Sequence, residues 1–309
     1  MRNGMSSHAK WEEPLGRFAK SIDLRRTFIA LDLDGTALLE DQGKVFISSS
    51  VEKGVKAIHD LNIPVAINTL RFPLSVINTV GKEWYQIAEA PILTVLLNGS
   101  VLGYIKSEGD GMRYEEVAAY PTNREDLQRL LDGIGQLLKA KIEDVILFYY
   151  SRNWEEGETL WTPNAERTLA LQKKFVSASR VHSGNVEQLA EELFGREICM
   201  CSLFIDRPQD TLMAYQHSKR NSFFTAKGVN KAFGLREVAS KIGRFPDEAL
   251  GAGDTEMDSF LSEVGCAVIV GNAKLSYRGR KETIRVASPL DLGNLVLSFA
   301  NLLQANIPG

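Results

Sequence analysis

Cysteine is scarce: three residues among 309, at positions 199, 201 and 266. An odd and small count builds no disulfide framework, and reduced thiols fit a reducing compartment. No run of about 18 apolar residues occurs, so no transmembrane helix is expected. The first twenty residues carry some positive charge but no apolar segment, which excludes a secretory signal and points to the cytoplasm. A basic excess is missing too. The net charge is −3 and the pI about 5.9, whereas a nucleic-acid binder would want a basic face. Internal repeats and low-complexity tracts are absent, and no obligate protein partner is evident.

What is present is ordinary soluble composition, 44% apolar and 24% charged, in a chain long enough for two domains. Strand and helix signals alternate, which predicts a doubly wound α/β sheet of Rossmann type. The residues before 23 read as a loose or helical extension. Thr27 to Leu31 is a continuous apolar run, as a strand buried on both faces requires. Helical periodicity follows over 49–61, a strand over 63–69, a helix over 73–88 and a strand over 92–97. Residues 106–204 change character. They hold the aromatic clump Phe148-Tyr149-Tyr150 with Trp154, plus Trp161 and a polar helix near 123–139, and read as an inserted α+β module. The α/β pattern then resumes, with a helix over 227–242, strands at 249–253 and 267–270, and a last helix over 291–303. The core is therefore assigned to 23–105 and 205–309. Cys199-Met200-Cys201 sits in an alternating stretch that suits a strand better than a metal site.

In open parallel sheets, sites form beyond the carboxyl ends of the strands. Asp32 and Asp34 end the first strand, in Asp32-Leu33-Asp34-Gly35-Thr36. Thr69 ends the second, and Asp254 follows the strand at 249–253. Each alone has a simpler reading: a glycine turn, a helix cap or a solvated charge. Together they make chemical sense. Carboxylates from neighbouring strand ends suit magnesium, which prefers hard oxygen ligands. A lysine and a threonine hydroxyl can hold the remaining phosphate oxygens.

These segments resemble the four ordered motifs of the haloacid dehalogenase-like hydrolases: Asp32 to Thr36, Thr69, Lys227-Gly228, and Gly253-Asp254 through Asp258. Asn98-Gly99-Ser100 and Gly271-Asn272-Ala273 resemble the Cof-like branch, with its sucrose-phosphate and mannosyl-phosphoglycerate phosphatase relatives and its large inserted cap of type IIB. The resemblance implies a magnesium-dependent phosphatase acting on a small phosphorylated metabolite. Asp32 would be the nucleophile and form an aspartyl-phosphate; Asp34 would be the acid and base. Magnesium would involve Asp32, Asp34 and Asp254, with Asp258 one step behind them. Thr69, Lys227, Arg71 and Asn272 would hold phosphate. Lys219 and Lys231 compete with Lys227, which is preferred because Gly228 follows it where a helix is expected to open. Two departures stand out: Leu70 where glycine is usual, and Met257 where asparagine is usual. Arg152, Trp154, Trp161, Arg180 and His182 are the polar and aromatic candidates in the cap. A phosphomutase and a catalytically weak phospho-ligand-binding protein are the competing readings.

Overall fold

A computed structural model describes residues 11–205 and 222–306; Lys219 lies outside them. The chain opens with helix α1 (Glu12–Lys20) and strand β1 (Ile29–Leu31), then a hairpin of β2 (Leu38–Asp41) and β3 (Lys44–Ile47). There follow α2 (Ser49–Asp60), β4 (Val65–Asn68), α3 (Pro73–Val76), α4 (Lys82–Ala88), β5 (Ile92–Leu96), β6 (Val101–Glu108) and β7 (Gly111–Ala119). The middle of the chain gives α5 (Arg124–Lys139), β8 (Val145–Ser151), β9 (Glu158–Thr162), α6 (Thr168–Lys174), β10 (Ala178–Ser183), α7 (Val186–Phe194) and β11 (Ile198–Ile205). It ends with β12 (Ser222–Phe224), α8 (Lys231–Lys241), β13 (Leu250–Gly253), β14 (Cys266–Val270), β15 (Glu282–Val286) and α9 (Pro289–Ala305).

The larger sheet runs β15-β14-β13-β1-β4-β5-β6-β7. Its first six strands are parallel, and β6 and β7 return antiparallel. β1 lies between β4 and β13, so the chain winds outward from it in both directions. The crevice at such a switch point is where doubly wound sheets place their sites. The short strands β1, β4, β5, β13 and β14 are buried throughout, because helices cover both faces of a parallel sheet. The stretch expected as an extension contributes to this core: Leu15 and Phe18 of α1 are buried, and Phe18 stacks on Phe299 of α9.

The second sheet, β10-β9-β8-β11-β12, is the inserted cap. One face packs under α5 and α7 through Leu131, Ile134, Leu147, Tyr149, Trp161 and Leu193. The other face, with Phe148, Tyr150 and Phe204, joins the apolar cluster of the core. Phe72 meets Tyr150 at 5.3 Å between ring centres. The cap boundaries expected at 106 and 204 need correction. Residues 106–119 belong to β6 and β7 of the core sheet, and β12 extends the cap sheet to Phe224 by pairing with β11. Periodicity marks strands, but it does not say which sheet they join. Cys199 and Cys201 lie buried in β11 as free thiols, as the alternating pattern implied.

The helical stretch over 73–88 contains a wider π-turn at Ile77–Gly81. Such turns shift side chains relative to a regular α-helix and occur often at functional sites. This one carries Thr79, which reaches the site described next.

Candidate active site

Asp32 follows β1 and is only 5% exposed. Its backbone N–H donates to the Ala252 carbonyl at 3.0 Å, which ties the end of β1 to the end of β13. The chain then turns through Gly35, whose φ is +77°. A Cβ at Gly35 would stand 2.4 Å from Asp254 Oδ2, so glycine is what lets the two strand-end loops approach. Carboxylate oxygens of Asp32, Asp254 and Asp258 come within 4.8 Å of one another.

Among the described residues one ammonium reaches these acids, that of Lys231. It is 1% exposed and donates to Asp32 Oδ1 and Asp258 Oδ1, each at 2.6 Å. This corrects the choice of Lys227, which lies exposed in the preceding turn, on the rim of a separate hollow with Thr122, Asp126 and Phe224. Helix α8 does not open at Lys227-Gly228. It opens at Lys231, where Asn230 caps it by accepting from the Phe233 N–H at 2.9 Å. Asparagine is among the best N-caps, so Asn230-Lys231 was the available signal. The approach also depends on Gly99, in a loop where Leu97, Asn98 and Gly99 all have positive φ. A Cβ on Gly99 would lie 2.2 Å from the Asn230 carbonyl oxygen.

Asp258 is fully occupied by the protein. Its Oδ2 accepts from the N–H groups of Asp254 and Thr255 at 3.0 and 2.9 Å, while Oδ1 faces Lys231. It orients the lysine and the 254–257 turn. Met257 is half-buried in that turn and donates its N–H to Thr255 Oγ1 at 3.3 Å. Asp254 accepts from Thr36 Oγ1 at 3.0 Å through Oδ1.

Burial, then the neighbouring Asp258, push Asp254 up to about 6. Burial also pushes Asp32 upward, against Lys231. Burial pulls Lys231 down, but Asp258 and Asp32 outweigh it and raise it. These tendencies oppose each other across one 2.6 Å bond. The charged pair is the resting form, because the lysine faces two carboxylates and sheds its proton least readily there.

Asp34 is 39% exposed at its side chain, and Arg71 grips both of its oxygens: Nε to Oδ2 at 2.8 Å and Nη2 to Oδ1 at 2.5 Å. Arg71 itself is 2% exposed, and its Nη1 donates to Thr79 Oγ1 at 2.8 Å. The arginine expected to hold phosphate is thus committed to a carboxylate. Thr69 is buried beside it, with its hydroxyl accepting from the Arg71 N–H at 3.3 Å, and Leu70 is buried. Asn272 lies exposed in the turn after β14, two strands from β1.

The cap candidates are engaged in packing and ion pairs. Trp161 is fully buried, and Trp154 packs edge-on to Tyr114. Arg152 bridges Glu116 of the core sheet and Glu197, while Arg180 and His182 surround Glu192.

A doubly wound sheet with carboxylates and a lysine gathered at its switch point, and a second sheet inserted in the chain, defines an α/β protein built on an aspartate centre. The match to the family model of haloacid dehalogenase-like hydrolases spans residues 29–278, and the chain belongs to that family. Solved structures share the fold at low identity. A haloacid dehalogenase subclass IIB sugar phosphatase aligns with TM-score 0.62 and 17% identity, over 89% of this chain and 98% of its own. A Cof-like hydrolase from Plasmodium vivax gives 0.66 and 16%, over 94% and 99%. A phosphatase of the superfamily from Bacteroides thetaiotaomicron gives 0.59 and 19%, over 90% and 94%.

Proposed function

We propose that the protein is a magnesium-dependent phosphatase that hydrolyses a small phosphorylated metabolite, a sugar phosphate or phosphorylated glycoside, through an aspartyl-phosphate on Asp32. The observation that carries this reading is the cluster itself: three carboxylates gather within 4.8 Å of one another, and among the described residues one ammonium, that of Lys231, reaches two of them, Asp32 and Asp258. Asp258 is satisfied by the protein, which leaves Asp32 and Asp254 with negative charge and hard oxygen donors, the set that fits a magnesium ion. Asp32 and Asp254 would hold that ion, whose contribution is to neutralise charge on the phosphoryl oxygens.

The remaining chemistry follows from side chains. The Asp32 carboxylate attacks phosphorus, and the bond to the leaving oxygen breaks. Asp34 enters this step in its carboxylic-acid form, still accepting from Arg71, and gives that oxygen its proton. It then takes one from the water that attacks the phosphorus of the aspartyl-phosphate, which frees phosphate and restores Asp32. Lys231 keeps Asp32 charged and aimed, and Thr69 offers a hydroxyl to the phosphoryl group. The interval between Thr36 and α2 is filled by the β2–β3 hairpin, so the body above the site is the cap of the second sheet. That arrangement supports hydrolysis over phosphoryl return to a second hydroxyl. The similarity to a sugar phosphatase supports the substrate class.

The test is phosphate release from a panel of sugar phosphates, phosphoglycosides and nucleotides, with and without magnesium. We expect magnesium-dependent release, strongest on sugar phosphates. Tight phospho-ligand binding without turnover would contradict it.

A further inference from the structure

We propose that Asn68 is a positioning residue for Lys231: its side-chain amide, donating to the Lys231 carbonyl, sets where the ammonium meets Asp32. Asn68 is the last residue of β4 and is fully buried. Its Nδ2 donates to the Lys231 backbone oxygen at 3.0 Å, across 163 residues of sequence. The partner is a carbonyl, which fixes the orientation of the amide. The other end, Oδ1, is buried and accepts from no group among the described residues.

A lysine stem is long and flexible, so its ammonium is only as well placed as its backbone. Lys231 is fixed at the ammonium end by Asp32 and Asp258. At the backbone end it is fixed by the Asn230 cap, the close approach of Gly99, and Asn68. Asn68 also adjoins Thr69. One strand end thus sets both the hydroxyl and the lysine of the centre. Misplacing a catalytic group by about 1 Å can cost on the order of 100-fold in rate, and that cost falls on kcat.

The kinetic arm of the test rests on the phosphatase reading; a spectroscopic arm does not. In Asn68→Leu, with Asn68→Ala as a second and smaller change, we expect kcat to fall about 10-fold to 100-fold with KM little changed. In a Lys231→Ala background the same change should cost nothing further, because the group it positions is gone. In protein labelled with 15N-lysine, the Lys231 ammonium, identified by its loss in Lys231→Ala, should give a slowly exchanging signal. That signal should broaden or shift in Asn68→Leu. An unchanged signal overturns the proposal, as does an equal fall in kcat with and without Lys231. Absence of phosphate release from the wild type would sink the phosphatase reading alone, and the ammonium signal would still decide the role of Asn68.

Discussion

The core and the cap each gather a knot of charged and polar side chains, buried in the core and partly exposed in the cap, and they close it differently. In the cap, Glu192 accepts from Tyr149 at 2.7 Å and pairs with Arg180 at 2.5 Å and Arg196 at 3.4 Å. Tyr149 has one proton to give and gives it to Glu192, so His182, 2.9 Å away, donates to the tyrosine oxygen from Nε2. Every member has a partner from the chain itself. In the core, among the described residues, the three carboxylates of Asp32, Asp254 and Asp258 have one cationic partner, Lys231, which pairs with Asp32 and Asp258 and leaves Asp254 without an ion pair. Burying charge without compensation is costly, so a fold that keeps such a surplus keeps it for a ligand. The same residue types are structural where their bonds close on the protein and chemical where they do not.

The comparison breaks first at Asp32. Replacing it with Asn should lower phosphate release on the order of 1000-fold or more, as loss of a nucleophile does, while circular dichroism shows the fold intact. Next, Lys231→Met leaves buried carboxylates unpaired. We expect a loss of about 3–5 kcal/mol in denaturant melts, partly restored by added magnesium, together with a collapse of turnover. Lys227→Met, at the exposed turn, should stay within about 0.5 kcal/mol and keep its rate; the reverse ranking would reinstate Lys227. A smaller effect is expected of Arg71→Lys. It loses the two-pronged grip on Asp34 and should lower kcat about 10-fold at constant KM; a raised KM at constant kcat would instead make Arg71 a phosphate binder.

In the cap, Tyr149→Phe should cost about 1–2 kcal/mol of stability and leave kcat of the folded enzyme unchanged. A loss of turnover would move that knot from structure to chemistry. The smallest effect is on pH dependence. Burial, only partly offset by Glu192, lowers His182, so the folded chain resists protonating it. Below about pH 6.5 the unfolded chain then binds more protons. The contribution of His182 is present above that pH and lost as pH falls. Burial pushes Glu192 up, but its bonds from Tyr149 and Arg180 outweigh this and lower it, so Glu192 has the same sign. His182→Gln should flatten the acid limb of a plot of melting temperature against pH.

The strand ends were legible because carboxylates rarely follow fully apolar runs without reason. Asp32, Asp34, Thr69 and Asp254 all stand at the carboxyl edge of one sheet. The lysine was misjudged by four positions because Gly228 suggested a helix start, while the cap residue Asn230 was overlooked. The role of Arg71 was not legible. Its partner Asp34 is 37 residues away in sequence, and the π-turn that presents Thr79 to it leaves no periodic trace. The inclusion of β6 and β7 in the core sheet was equally hidden, since it depends on pairing between strands rather than on either strand.

Rapid mixing of enzyme, magnesium and a turned-over sugar phosphate, followed by acid quench and peptide mass analysis, tests the centre most directly. The peptide containing Asp32 should carry one phosphoryl group on that residue, and Asp32→Asn should carry none. A wild-type enzyme that releases phosphate while its Asp32 peptide stays unmodified at every quench time would contradict an aspartyl-phosphate pathway.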